Sequence, residues 1–208
     1  MSTPIRNIIF DLGGVLLNID YNKTSSAFKE LGFENFDNMY SQFSADQLFE
    51  KLETGTVTEK DFLDILSGVA EKSVRNEEII KAWNAMLLDF RKESLDFLES
   101  LAAKYNLYLL SNTNAIHMNA FHDDFVKQTG KNLLDDYFIK AWYSNKIGLR
   151  KPNKNIYEYV LKDGKLKAEE TLFIDDSINN IEAAMEMGIQ TFHLKQGQKI
   201  EDIVLLHG

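Results

Sequence analysis

An α/β fold, with a parallel-sheet core and an all-helical block inserted into it, is predicted by three patterns in this 208-residue sequence. Residues 93–194 alternate short apolar strands with amphipathic helices, as βαβ units on a parallel sheet do. Residues 22–90 hold four stretches with apolar residues at helical spacing and no strand pattern between them. Residues 5–10 read as a buried strand that rejoins the later sheet, which makes the helical block an insertion after strand one. The boundaries drawn are a core at 1–17 and 91–208 and a helical cap at 18–90.

Each element follows from its own residues. "IRNIIF" (5–10) is β-branched and is followed by Gly13 and Gly14. The helical stretches are "NKTSSAFKELGF" (22–33), "SADQLFEKLETG" (44–55), "TEKDFLDILSGVAEK" (58–72) and "NEEIIKAWNAMLLDF" (76–90). Thr58 with Asp61 opens the third as a weakened capping box just after Gly55. Then come a helix at 94–105, a strand "NLYLLSN" (106–112), a helix at 115–130 and a strand "YFIKAWYS" (137–144). A helix at 155–164 stops at Gly164, "TLFIDDS" (171–177) is a strand, a helix at 177–188 ends at Gly188, and "IQTFHL" (189–194) closes the sheet.

Composition narrows the function classes. A net charge of −9 argues against a nucleic-acid or anionic-membrane surface, since both reward clustered Lys and Arg. The absence of Cys excludes disulfides, thiol nucleophiles and thiolate metal sites. "MSTPIRN" is no signal peptide and no apolar run approaches a membrane span, so a cytoplasmic protein is expected.

In open α/β sheets, ligands bind beyond the carboxyl ends of the strands. Four polar positions fall at or near such ends: Asp11, Ser111, Lys151 and the pair Asp175–Asp176. Each has an ordinary explanation as a turn residue, a helix cap or a solvated lysine. As a set they complement one another. Carboxylates on neighbouring strand ends suit Mg²⁺, which favours one or two carboxylates plus waters and phosphate oxygens. A hydroxyl, backbone N–H groups and an ammonium can hold the remaining phosphate oxygens, and a carboxylate can attack phosphorus. The set has the make-up of a phosphoryl-transfer site.

At these residues the sequence resembles the haloacid dehalogenase superfamily. "FDLGGVLL", "LYLLSNTN", "IGLRKPNKNIYEYVL" and "TLFIDDSINNIEAA" match its four motifs in order, and the helical block lies where the family inserts a cap. The resemblance covers nearly the whole chain and implies a Rossmann-like core. It implies Asp11 as nucleophile and metal ligand, the carbonyl of Gly13 as a second ligand, and Asp176 as a third with Asp175 beside it. It also implies Ser111 and the Asn112 amide as phosphate binders, Lys151 bridging nucleophile and phosphate, and Mg²⁺ as cofactor.

One position departs from the family pattern. Most phosphatases of the family carry a second Asp two residues after the nucleophile as general acid and base; here that residue is Gly13. Such help is worth about 10²–10⁴-fold, so a substrate with a good leaving group is expected. A sugar 1-phosphate or an acyl phosphate qualifies. "DLG", "LSNTN" and "RKP" look most like the bacterial α-D-glucose-1-phosphate phosphatase branch. The resulting expectation is an Mg²⁺-dependent phosphatase of a small phosphorylated metabolite.

Other readings fit less well. Dehalogenases of the family place a bulky aromatic where Gly13 stands and need no metal pair. Phosphonate hydrolysis needs a cap lysine, for which Lys23, Lys51 and Lys60 are the positions available. A response-regulator receiver has its acidic pair after the first strand, and "DLGGVL" is neither a dinucleotide fingerprint nor a P-loop. The histidines (His117, His122, His193, His207) show no metal spacing and read as structural or surface groups. The main competitor is a non-catalytic binder of a phosphorylated metabolite, prompted by the missing acid at residue 13. For the specificity pocket, Tyr40, Phe43, Phe49 and Trp83 are candidates better read as cap core, while Asp20 and Tyr21 are better placed.

Overall fold

The structure is a computed structural model that describes residues 3–39, 47–70 and 73–204; Tyr40, Phe43 and His207 lie outside the described residues. In chain order the elements begin with β1 (Asn7–Phe10), β2 (Leu17–Ile19), α1 (Tyr21–Glu30), α2 (Phe36–Met39), α3 (Gln47–Glu53), α4 (Glu59–Val69) and α5 (Asn76–Asn84). They continue with β3 (Leu87–Phe90), α6 (Lys92–Leu101), β4 (Asn106–Ser111), α7 (Ala115–Thr129), β5 (Lys140–Tyr143) and α8 (Ser144–Ile147). The last are α9 (Lys154–Gly164), β6 (Thr171–Asp175), α10 (Ile178–Glu186) and β7 (Gln190–His193), with short 3₁₀ turns between some of them.

Five strands form one parallel sheet in the order β5-β4-β1-β6-β7. β1 is central and wholly buried because the sheet is covered on both faces. Ile8 and Phe10 point to the side closed by Leu95 and Leu98 of α6 and Phe121 and Phe125 of α7. Ile9 points to the side closed by Ile156 and Val160 of α9 and Ile181 of α10. The strand order reverses at β1, between β4 and β6. Sheets of this kind open a crevice at that switch point.

The helices α1 to α5 pack around their own aromatic cluster, in which Phe28 stacks on Phe36 at 4.1 Å and Phe49 on Trp83 at 5.1 Å. Thr24 ties α1 to the end of α5, its Oγ1 donating to the Trp83 carbonyl at 3.1 Å and accepting from Met86 N at 3.0 Å. The block meets the core through α7: Trp83 stacks on His117 at 5.1 Å, and its Nε1 donates to Asn114 Oδ1 at 3.4 Å. Thr58 caps α4 as predicted, accepting from Asp61 N at 3.1 Å.

The stretch 76–90 differs from its predicted continuous helix. α5 ends at Asn84, and Leu87–Phe90 instead pairs antiparallel with Leu17–Ile19. This two-stranded ribbon carries the chain out of the core and back. Arg91 braces it, its Nη1 donating to the Val15 carbonyl at 3.1 Å and its Nε to Asn18 Oδ1 at 2.7 Å. α9 ends at Gly164 as expected, and Lys165 after it takes the left-handed conformation at φ 54°. A Cβ on Gly164 would lie 3.0 Å from Trp142 and Leu166, so close packing explains that glycine. No helix among the described residues is long and apolar enough to cross a membrane.

Candidate active site

The switch point brings the sequence-predicted residues into one cleft. Asp11 follows β1 directly, its backbone N–H donating to the Ile174 carbonyl at 2.9 Å, so the sheet register fixes where its carboxylate emerges. Asp175 ends β6 on the adjacent strand and Ser111 ends β4 on the other side. Asp11, Gly13, Ser111, Asn112, Lys151 and Asp176 all line this cleft, a cavity of about 180 Å³.

Lys151 is the hub. It is 1% exposed, and its Nζ donates to Asp11 Oδ1 at 2.8 Å and to Asp175 Oδ2 at 2.7 Å. It lies one short helix past the end of β5, in the loop beyond α8. Asn112 holds that loop: its side-chain NH₂ donates to the Lys151 carbonyl, and its Oδ1 accepts from Lys151 N, both at 2.9 Å. The Asn112 side chain is therefore spent on Lys151, which leaves its backbone N–H as the group for a ligand. Burial pulls the Lys151 ammonium down, but Asp11 and Asp175 outweigh it and hold the pKa above the ordinary lysine value.

The two adjacent carboxylates have different surroundings. Asp175 is fully buried and saturated: besides Lys151 it accepts from Ser177 N at 2.8 Å and from Asn180 Nδ2 at 3.0 and 3.1 Å. Asp176 faces the cleft and is exposed. Oxygens of Asp11, Asp175 and Asp176 lie within 4.8 Å of one another. Burial first, and then the neighbouring carboxylates, push Asp11 up to about 7 despite Lys151; Asp176 is exposed as a residue, but desolvation of its carboxyl within the cleft, together with Asp175, pushes it up to about 6. One ammonium among three carboxylates leaves negative charge uncompensated, and a divalent cation would neutralise it.

The donor set fits Mg²⁺. It is all oxygen, and Gly14 keeps the approach open: at φ +72° its own Cβ would fall 2.2 Å from Asp176 Oδ2. Asp11 and Asp176 could hold the ion with the Gly13 carbonyl, and Asp175 is better occupied in fixing Lys151.

Other predicted positions separate. Tyr21 lines the cleft, whereas Asp20 caps α1 by accepting from Asn22 N at 3.0 Å. Phe49 reaches the wall from the aromatic cluster, and Trp83 stays inside that cluster. Lys23, Lys51 and Lys60 are exposed and none of the three is among the cleft residues. His117, read from sequence as structural or surface, does line the cleft. Its Nδ1 is 2.8 Å from Asn84 Oδ1, and burial pushes its pKa down to about 3, so the ring is neutral. Glu53 and Arg150 also line the cleft and were not anticipated. Arg150 adjoins Lys151 in "GLRKP", the one sequence signal that pointed toward it.

Comparison with known proteins agrees with this geometry. A family model for haloacid dehalogenase-like hydrolases matches residues 5–188. The D-ribitol-5-phosphate phosphatase of Bacteroides thetaiotaomicron is 33% identical over 193 residues, covering 93% of each chain. A crystal structure of an HAD family enzyme from the same organism, a variant with one aspartate replaced by alanine and in complex with magnesium and inorganic phosphate, superposes with a TM-score of 0.90 at 35% identity. That superposition covers 96% of this chain and 98% of the other. An HAD-like hydrolase of Porphyromonas gingivalis gives a TM-score of 0.89 at 34% identity, covering 99% of this chain and 98% of its own. With a Rossmann-like parallel sheet, an acidic switch-point cleft and a family match over nearly its full length, this chain belongs to the haloacid dehalogenase-like hydrolases.

Proposed function

We propose that the protein is an Mg²⁺-dependent phosphatase of a small polyhydroxy phosphate, a sugar or sugar alcohol, acting through a phosphorylated Asp11. The observation that carries this reading is the buried Lys151 bridging Asp11 and Asp175 beneath a cleft that Asp176 also lines. The identity to a pentitol-phosphate phosphatase supports the substrate class.

In this reading Asp11 attacks phosphorus, the phosphorus–oxygen bond to the sugar breaks, and water later transfers the phosphoryl group off the carboxylate. Lys151, Ser111 and the Asn112 backbone N–H hold the phosphate oxygens so that the attacking oxygen stays in line. A bound Mg²⁺ supplies charge neutralisation between the anionic nucleophile and the anionic phosphate. Residues 18–90 act as a cap that excludes water from the reacting centre. A non-catalytic binder gains nothing from a nucleophile held by a buried lysine, and that counts against it.

Gly13 lends the finer reading its support. Without an acid there, an anomeric phosphate departs more readily than a primary alcohol, and sugar 1-phosphates remain the favoured esters on chemical grounds. The named relative points instead to alditol phosphates. Phosphate release from sugar 1-phosphates, alditol phosphates, nucleotides and acyl phosphates, with Mg²⁺ and with EDTA, tests both. Metal-dependent turnover that is lost in Asp11→Asn establishes the phosphatase, and the ranking of esters decides the leaving group. Tight binding without turnover of any ester returns the binder.

A further inference from the structure

Glu53 and Arg150 stand apart from the phosphate machinery, yet both open onto the same cleft. Glu53 ends α3 of the helical block, and Arg150 comes from the core loop that carries Lys151. Arg150 Nη2 lies 3.0 Å from Glu53 Oε2, and Nη1 3.9 Å from Glu50 Oε1. Glu53 Oε2 is held by this ion pair and Arg150 Nε is buried, while the two side chains keep 23% and 20% of their surface open. The pair leaves further acceptor capacity on the Glu53 carboxylate and further N–H donors on the Arg150 guanidinium at the cleft wall, and a group that both accepts and donates can serve the two at once. A hydroxyl does this with one oxygen, and a chain of hydroxyls does it with neighbouring ones. Burial pushes the Glu53 carboxyl upward while Arg150 opposes it, so this carboxylate gains from a hydrogen-bond donor.

We propose that Glu53 and Arg150 form the subsite for the hydroxyl groups of the substrate's carbon chain. An Arg150 N–H donates to a hydroxyl oxygen, and that hydroxyl, or its neighbour, donates to Glu53. The subsite rests on the phosphatase reading above and selects polyhydroxy phosphates over esters without hydroxyls. Consecutive residues of one loop then divide the substrate, Lys151 taking the phosphate end and Arg150 the carbon chain. Because Glu53 belongs to the helical block, a bound hydroxyl also joins that block to the core.

The test is titration calorimetry with Mg²⁺ on the full chain carrying Asp11→Asn, which holds substrate without consuming it. The probes are ribitol 5-phosphate, glucose 1-phosphate and inorganic phosphate. Glu53→Gln and Arg150→Lys are each expected to weaken one or both sugar esters by about tenfold or more, with inorganic phosphate changed by less than about twofold. Arg150→Lys keeps the charge that ties the block to the core but removes Nε, so a purely structural tie leaves ester affinity intact in that variant. Equal weakening of esters and inorganic phosphate overturns the subsite. So does a parent variant that binds the esters no more tightly than inorganic phosphate. Turnover by the unsubstituted protein is measured separately, so a failed phosphatase reading is distinguished from a failed subsite.

Discussion

Ile19 covers the position that a side chain on residue 13 would enter: a Cβ built on Gly13 lies 3.3 Å from Ile19 Cγ1 and 3.7 Å from Cδ1. The missing acid is therefore matched by a neighbour that uses its space. Gly13→Asp forces Ile19 aside, and overpacking of this kind costs about 1–3 kcal/mol. Adding Ile19→Ala is expected to relieve it, leaving the double variant more stable than the two single losses predict. Urea unfolding of the four proteins measures the coupling, and strict additivity would show that Ile19 does not oppose a side chain there.

Lys151 is the only cation in hydrogen-bond contact with Asp11 or Asp175 among the described residues. Lys151→Met strands two buried carboxylates, a change worth about 3–5 kcal/mol. Without the ammonium Asp11, already raised to about 7, is pushed further above its ordinary value, so the native state binds more protons and the variant's stability falls more steeply as pH rises. The variant is expected to lose more stability at pH 8 than at pH 5 relative to the parent. Chemical denaturation at both pH values checks this.

Metal binding should release protons. Asp11 is raised to about 7 and Asp176 to about 6, so near pH 6.5 part of the population must deprotonate before it can ligate. Mg²⁺ affinity is expected to rise from pH 6 to pH 8. Its apparent binding enthalpy should depend on the ionisation enthalpy of the buffer. Identical enthalpies in phosphate-free buffers of different ionisation enthalpy would contradict the raised carboxylates.

His117 gives stability a pH dependence of the opposite sign. Its folded pKa of about 3 lies below the ordinary 6.5, so between those values the unfolded chain binds the extra proton. This contribution to stability is complete above pH 6.5 and is lost as pH falls toward 3, at up to about 1.4 kcal/mol per pH unit. The difference between parent and His117→Gln unfolding curves isolates it from the carboxylates. That difference should shrink on acidification.

The parts of this molecule that were legible in its sequence are those where an apolar run stops at a polar residue. Asp11, Ser111 and Asp175–Asp176 were found that way, because buried parallel strands are uniformly apolar and their ends are abrupt. β2 and β3 escaped because strands of three and four residues carry too little alternation to outweigh the helical pattern running into them. Lys151 is recognisable by its motif, whereas the helix that separates it from β5, Ser144–Ile147, is too brief to show a period. The Glu53–Arg150 contact had no sequence signal, as it depends on how the helical block seats on the core. The cleft-facing side of His117 was hidden for the same reason.

The central claim is that Asp11 carries the phosphoryl group, and a rapid acid quench during turnover tests it most directly. Peptide mass mapping is predicted to find a hydroxylamine-labile phosphoryl adduct on the segment containing Asp11, absent in Asp11→Asn. Full turnover by Asp11→Asn, with no adduct on that segment in the parent protein, would contradict the account.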